Sequence, residues 1–255
     1  MFDSIETRPI LAQAFEPEQF DDHFSARQAQ TPQMFEQVLK LRHQVYCIEK
    51  KYETSSPATA LETDAYDHNA IHAALIHVQT GDMAGCFRLI RPAGPDSLAG
   101  TPLYDQYADE LYPEATDAPA ATTAEISRFA IAKDFRNRRI AALREARALG
   151  AMTEAEEVER RLLPHLTIGL MRSVYLLSRR SGLTHLTALI DAGLLRHMHR
   201  FGLKFDIIGP PIHHKGWRYP VVSEIAENCR RVALRRPDVW NLVTHRPAEP
   251  NRDAA

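Results

Sequence analysis

The sequence predicts an α/β fold in which helices cover both faces of a mixed sheet, all within one domain. Helix-like and strand-like segments follow in the order helix, strand pair, strand, helix, strand, helix, strand, strand. Residues 70–78 are apolar on both faces, as expected for a central strand. A hydrophobic content of 44% and a net charge of −2 are ordinary for a globular protein and give no sign of general affinity for nucleic acids.

The 255 residues divide into three predicted regions. Residues 1–30 show no clear periodicity and are predicted to form a loosely packed N-terminal arm. Residues 31–245 form the single domain. Within it, residues 140–161 are rich in Ala, Arg and Glu, which predicts a solvated helical insertion or a mobile lid. Residues 246–255 are predicted to be a frayed C-terminal tail.

Cysteine usage and hydropathy predict the compartment. The three cysteines are far apart and form no C-x-x-C motif, which favours a reducing environment. The N-terminus carries acidic residues and no apolar segment typical of a signal peptide. No run approaches the roughly 20 apolar residues that cross a bilayer. We therefore expect a cytoplasmic protein without a transmembrane segment.

The domain is predicted to begin with a helix. Thr31 and Pro32 are typical of a helix cap and first position, and an apolar stripe with helical spacing follows. Arg42 lies within this stripe, where it either rests its stem on apolar surface or pairs with an acidic residue in a cleft. The next loop supplies Asp64 and Asp67, which either cap turns or join Arg42 in a charged cluster at the cleft wall.

A hairpin at residues 80–82 joins the strand at 70–78 to a second strand at 83–90. On the second strand Arg88 stands on an otherwise apolar face, which indicates a cleft or an ion pair. Cys86 on that face is predicted to be a core residue rather than a nucleophile. Later helices are predicted at residues 102–111, 162–181, 193–200, 224–234 and 237–243, and later strands at 125–132, 185–191, 205–208 and 219–222.

The strand at residues 125–132 carries three polar residues in an apolar setting, namely Glu125, Ser127 and Arg128. Unpaired buried charge is costly, so Glu125 and Arg128 either neutralise each other or face a cleft. Residues three apart lie on opposite faces of a regular strand. A shared cleft therefore requires a β-bulge within residues 125–129, and bulges recur beside active sites.

Four motifs occur in the order found in one group of enzymes: L-R-x-x-V-Y (41–46), E-x-D-x-Y-D (62–67), G-C-F-R-L-I (85–90) and E-x-S-R-F (125–129). Together they resemble acyl-homoserine-lactone synthases and N-acyl amino acid synthases of the GNAT acyltransferase superfamily. With R-x-P at 218–220, the sequence is most similar to acyltransferases associated with exosortase and PEP-CTERM sorting systems. The resemblance covers residues 32–222 and implies a GNAT fold with residues 125–131 at its centre.

The resemblance implies transfer of a fatty acyl group from an acyl carrier protein or coenzyme A thioester to a primary amine, as on an amino acid. Glu125 is the implied proton acceptor, with Arg128 and Ser127 beside it. The implied substrate-binding residues are Arg42, Tyr46, Asp64, Asp67, Arg88 and Phe129, with the arginines orienting the acids and holding the acceptor's carboxylate. No permanently bound cofactor is expected, and no histidine or cysteine spacing typical of zinc is present.

Two departures from the resemblance bear on the substrates. The GNAT pyrophosphate loop, Q/R-x-x-G-x-G/A, is replaced by F-R-N-R-R at 135–139, which favours an acidic carrier protein over coenzyme A. The insertion at 140–161 disfavours S-adenosylmethionine as acceptor. A lactone synthase and a non-catalytic module that binds an acyl ligand or partner remain alternatives. The predicted carrier-docking residues are Arg136, Arg138, Arg139 and Arg172, together with Phe135.

Overall fold

The computed structural model describes residues 16–54, 59–114 and 116–245. Within them, the helices are α1 (Pro17–His23), α2 (Pro32–Arg42), α3 (Pro102–Tyr107), α4 (Lys133–Ala148), α5 (Glu154–Leu162), α6 (Leu166–Arg180), α7 (Ala192–Arg200), α8 (Ile225–Arg235) and α9 (Pro237–Thr244). The strands are β1 (Phe24–Gln28), β2 (Ala70–His77), β3 (Met83–Ile90), β4 (Thr123–Ile131), β5 (His185–Asp191), β6 (Asp206–Ile207), β7 (Ile212–His213) and β8 (Trp217–Glu224).

The strands form one mixed sheet in the order β1-β2-β3-β4-β5-β8-β6, with β7 also paired to β8. Strands β4 and β5 are parallel, and the other neighbours are antiparallel. The predicted mixed sheet with β4 at its centre is thus confirmed. No helix in the described part of the chain has the length and apolarity needed to cross a membrane.

The two central strands separate along their length. Pairing between β4 and β5 runs only from Thr123–His185 to Glu125–Thr187. Beyond that point β4 continues to Ile131 and β5 to Asp191. Because the strands are parallel, their carboxyl-terminal halves both lie at the same end of the sheet. They are not paired with each other there, and a V-shaped opening lies between them.

Apolar clusters lie on both faces of the sheet, as predicted for an α/β fold. The larger cluster includes buried residues of β3, β4, β5 and helix α6. A smaller cluster joins Val38 of α2 and Val45 to Ala74, Cys86 and Ala130 of the sheet.

The predicted loose arm at residues 1–30 is wrong for the part that the structure describes. Residues 17–28 form α1 and edge strand β1, which pairs antiparallel with β2. Phe20 and Phe24 are each 1% exposed, and the ring of Phe20 lies so close to Gly169 that any side chain there would collide with it. A short helix followed directly by a short strand has no single hydrophobic periodicity, so the sequence pattern predicted neither element. Residues 1–15 and the tail at 246–255 lie outside the described residues.

The segment predicted as a solvated insertion is helical but not wholly solvated. Helix α4 starts directly after β4, and α5 supplies the rest of residues 140–161. Leu143 and Glu159 are buried within it. The apolar stripe of α4 is weak, because only Phe135 and Leu143 of its sixteen residues are buried.

Candidate active site

A β-bulge interrupts β4 where the sequence predicts it. Arg88 is opposite Ser127 and Cys86 is opposite Ala130, so Arg128 and Phe129 both stand against Phe87. Arg128 adopts a φ of 51°, in the left-handed region that non-glycine residues rarely occupy. Such a backbone persists only where surrounding contacts hold it. The bulge is confirmed, and it turns Arg128 toward the side of the sheet that carries α2.

Three arginines on this side bind carboxylates from the loop between α2 and β2. Arg42 is fully buried and donates to Glu62 at 2.5 Å and to Asp67 at 2.6 Å. Arg88 donates to both oxygens of Asp64 at 2.6 Å, and also to Asp67.

Arg128 completes this network. Its Nη2 donates to Glu62 at 2.8 Å, and to Asp64 and Glu53 at 3.1 Å each. Glu53 also binds Lys215 from the turn between β7 and β8. Four cations therefore meet four carboxylates: Arg42, Arg88, Arg128 and Lys215 against Glu53, Glu62, Asp64 and Asp67.

The arginines of this network favour the ionised forms of Glu62, Asp64 and Asp67. Burial opposes ionisation of Asp64, but hydrogen bonds and charge from Arg88 lower its pKa to about 2. The pKa values of Glu62 and Asp67 are lowered in the same way, against burial, by the arginines that donate to them. Arg42 and Arg88 are thus engaged by protein carboxylates. They orient Asp64 and Asp67 as predicted, but their predicted contact with an acceptor carboxylate is contradicted.

A cavity of 180 Å³ occupies the opening between β4 and β5. Glu125, Ser127, Arg128, Phe129 and Tyr46 line it, together with the end of β5 at Ala188, Leu189, Ile190 and Asp191. Arg42, Asp64, Asp67 and Arg88 lie behind this wall and do not line the cavity. The structure therefore brings Glu125 and Arg128 to one cavity, while the other four predicted residues support Arg128 from behind.

Glu125 has an environment different from that of every other acid nearby. It is 3% exposed, and its Oε2 accepts a hydrogen bond from the backbone N–H of Leu103 at 2.7 Å. Burial raises its pKa to about 7, although hydrogen bonds from Leu103 and Thr101 and the charge of Arg88 act in the opposite direction. Glu125 and Arg128 do not neutralise each other, since Arg128 pairs with other carboxylates.

Hydrogen bonds hold two other polar groups at the cavity wall, Tyr46 and Ser127. The hydroxyl of Tyr46 donates to the carbonyl of Phe129 at 3.2 Å, and burial raises its pKa. Ser127 Oγ accepts from Arg88 Nε at 2.8 Å. Burial raises the pKa of the Cys86 thiol to about 12, so this cysteine stays protonated and is a core residue, as predicted.

The sequence analysis missed several residues of the site. Glu62 lies inside the quoted E-x-D-x-Y-D motif, so the motif itself carried the signal. Glu53 and Lys215 meet across 162 positions of sequence, and no local pattern marks that pair. Lys50 also lines the cavity, as does Arg218, which the sequence analysis quoted only as part of the R-x-P motif.

The predicted docking patch is only partly on the surface. Arg172 is buried and donates to Asp21 at 3.0 Å and to the carbonyl of His245 at 2.8 Å. Arg139 forms a two-pronged pair with Glu159 at 2.7 and 2.6 Å. Phe135 is also buried, because helical spacing turns positions 135 and 139 of α4 toward the protein. These placements are contradicted, whereas Arg138 is 63% exposed and Arg136 is half-buried.

Comparisons with known proteins agree with this architecture. Residues 41–145 match the sequence family described as the acetyltransferase (GNAT) domain. TofI, solved in a ternary complex with an inhibitor and MTA, is 17% identical with a TM-score of 0.57, over 85% of this chain and 99% of that chain. The CoA-dependent acyl-homoserine lactone synthase BjaI, solved with SAM and isopentyl-CoA, is 18% identical with a TM-score of 0.56, over 85% and 89%.

A third similar structure is FeeM, an N-acyl amino acid synthase from uncultured soil microbes. It is 15% identical with a TM-score of 0.52, over 84% of this chain and 97% of that chain. No curated protein sequence matches this chain. The mixed sheet and these similarities together show that the protein has the GNAT fold.

Proposed function

We propose that this protein is an N-acyltransferase that moves a fatty acyl group from a phosphopantetheine thioester to the primary amine of an amino acid. The observation that carries the proposal is the state of Glu125. It is a buried carboxyl group that has no ion-pair partner in the part of the chain that the structure describes. It lines the cavity between β4 and β5, and burial raises its pKa to about 7. A base with a pKa near the working pH is best suited to accept a proton during attack.

The opening between the strands suits the thioester arm. Beyond Glu125, the backbone of β4 has no pairing with β5, so an extended amide-containing arm can take the place of a strand. A second cavity of 70 Å³, almost wholly apolar, shares Ile126, Met171 and Phe205 with the first. Its lining supports a fatty acyl chain as the transferred group.

The chemistry needs a neutral amine, a stabilised oxyanion and correct placement. The amine nitrogen attacks the thioester carbon and forms a C–N bond, while its proton passes to Glu125, directly or through a water. The tetrahedral intermediate then expels the pantetheine sulfur, which leaves as a thiol with a proton returned from Glu125. The bulge at Arg128 offers backbone N–H groups for the oxyanion, each worth about 3–4 kcal/mol.

Lys50 and Arg218 are suited to hold the acceptor's carboxylate. Lys50 lies 5.3 Å from the ring centre of Tyr46 and 5.5 Å from that of Tyr52, and it has no salt bridge among the described residues. The Nη1 atom of Arg218 lies 3.9 Å from Oδ2 of Asp191, and Arg218 is the arginine of the R-x-P motif at residues 218–220. These cations take over the role that Arg42 and Arg88 do not fill.

The proposed donor is an acyl carrier protein, and the proposed location is the cytoplasm. We also propose that the protein works together with an exosortase and PEP-CTERM sorting system. Support for a carrier protein comes from α4, which follows β4 without a glycine-rich loop. Purified protein should be incubated with acyl carrier protein and coenzyme A thioesters, an amino-acid pool and S-adenosylmethionine, with products identified by mass spectrometry. An N-acyl amino acid is expected. Formation of an acyl-homoserine lactone would contradict the proposal that an amino acid is the acceptor. Thioester binding without any product would contradict the proposal that the protein is an enzyme.

A further inference from the structure

A second cluster of chemically capable side chains lies outside the active cavity. It joins His23 at the end of α1, His77 at the end of β2 and Glu159 on α5. One ligand atom from each residue lies within 4.8 Å of those from the other two. None of the three lines the cavity between β4 and β5.

His77 is the central residue of this cluster. Its side chain is fully buried, and its Nδ1 lies 2.9 Å from the Thr80 hydroxyl. Its Nε2 is buried and makes no hydrogen bond among the described residues. That nitrogen faces Glu159, with 3.4 Å between Nε2 and Oε1. A buried nitrogen without a partner is costly, so this position requires an explanation.

Glu159 is held rigidly at the same point. It is fully buried, and Arg139 donates to both of its oxygens, at 2.7 and 2.6 Å. Each carboxylate oxygen has two lone pairs, so capacity remains on Oε1. Oε1 is also the oxygen that lies 3.4 Å from His77 Nε2, so its remaining lone pair is available on the side of the two histidines.

We propose that His23, His77 and Glu159 bind one divalent first-row transition metal ion, with Zn²⁺ as the best match. Two imidazoles and one carboxylate are a common zinc ligand set, with bonds of about 2.0–2.2 Å and a water in fourth place. In a tetrahedron with such bonds, ligand atoms are about 3.4 Å apart. The observed separation between His77 Nε2 and Glu159 Oε1 equals this edge.

Thr80 fits the same interpretation. A metal-binding histidine usually donates its other ring N–H to a nearby oxygen, which fixes the tautomer. The contact between His77 Nδ1 and Thr80 Oγ1 supplies that arrangement. The ion would join the end of α1, the end of β2 and α5, three parts of the chain that no disulfide connects. Its role would be to anchor the α4–α5 segment to the edge of the sheet.

The test is zinc binding by the full chain after treatment with a chelator. Zn²⁺ is titrated in competition with a chromophoric chelator, and Co²⁺ is used as a spectroscopic probe. One Zn²⁺ per chain is expected, with the intense visible bands of four-coordinate Co²⁺. His23→Ala and Glu159→Gln should each weaken Zn²⁺ binding by at least about 100-fold, and Thr80→Ala by about 10- to 100-fold.

His199→Ala is the matched control, because His199 is an exposed histidine on α7 and should leave the affinity unchanged. Circular dichroism checks the fold of each variant. Because His23 is only half-buried, His23→Ala should fold even if Glu159→Gln does not, and it can then test zinc binding on its own. The proposal is overturned if the wild-type chain binds no stoichiometric Zn²⁺, or if His23→Ala binds it as tightly as His199→Ala. In that case His77 Nε2–H donates a long hydrogen bond to Glu159.

Discussion

The carboxyl group of Glu125 accepts a hydrogen bond from the backbone N–H of Leu103, and it has no salt-bridge partner among the described residues although Arg128 lies three positions further along the strand. The bulge separates the two side chains into different environments. Arg128 enters a network of ionised acids, while Glu125 stays in a buried pocket where its neutral form is favoured. This separation is what allows Glu125 to exchange a proton near neutral pH.

The raised pKa of Glu125 predicts a specific dependence of stability on pH. The folded protein holds this proton more tightly than the unfolded chain, whose reference pKa is 4.5. The contribution of Glu125 relative to Glu125→Gln should therefore be largest below pH 4.5, decline up to pH 7 and stay constant above it. The full change is of the order of 3 kcal/mol. Urea unfolding of both proteins across this range measures it, and a pH-independent difference would show that the pKa is not raised.

Two replacements of Arg128 separate the contribution of its ion pairs to stability from the cost of its left-handed backbone conformation. Arg128→Ala leaves Glu62, which is 4% exposed, with Arg42 as its remaining partner, and should destabilise the fold by about 3 kcal/mol or more. Arg128→Gly removes the same contacts but accepts the φ of 51° without strain, so it should be more stable than Arg128→Ala by about 1 kcal/mol. Thermal and urea unfolding measure both variants. If Arg128→Gly were the less stable of the two, the left-handed backbone at this position would be wrong.

Lys50 should select acceptors that carry a carboxylate. Loss of a charge-assisted hydrogen bond in Lys50→Met should raise KM for an amino acid by about 10- to 100-fold. The KM for the corresponding amine without the carboxylate should hardly change. Lys51→Met is the control, since Lys51 is an exposed neighbour that does not line the cavity. An equal effect of Lys50→Met on both acceptors would assign Lys50 to the donor instead.

The exposed arginine of α4 should contribute to carrier-protein docking. Arg138→Glu should weaken binding of an acidic carrier protein and reduce its dependence on salt, because long-range attraction is lost. Arg230→Glu on α8 is a matched control, since both side chains are 63% exposed. Surface plasmon resonance over a salt series measures both. A similar loss in the two variants would indicate a general charge effect and no docking site at Arg138.

Local sequence patterns predicted much of this structure. Apolar runs located β2, β3 and β5, and the spacing of Glu125 and Arg128 predicted the bulge on the condition that both residues face one cleft. The position of Arg42 in an apolar stripe left an ion pair as one of two alternatives, and the family resemblance favoured the charged cluster with Asp67 that the structure contains.

Contacts between distant parts of the chain were not predictable in this way. The partner of Glu125 is a backbone N–H at the start of α3, and a backbone group leaves no trace in residue identities. Arg139 and Arg172 were read as a surface patch because their positive charge is local, whereas Glu159 and Asp21 that bind them lie elsewhere in the sequence. Edge strand β1 was missed for the same reason, since its stability comes from pairing with β2.

The most direct test of Glu125 as the proton acceptor is the pH dependence of kcat/KM for acyl transfer, compared between the wild-type protein and Glu125→Gln. The wild-type profile should show a step near pH 7, where Glu125 loses its proton. Glu125→Gln should lack this step and be slower above pH 7 by about 10²- to 10⁴-fold, with the difference narrowing at lower pH. Circular dichroism should confirm that the variant is folded. Full activity of Glu125→Gln with an unchanged profile would contradict the role of Glu125 and leave substrate positioning as the source of catalysis.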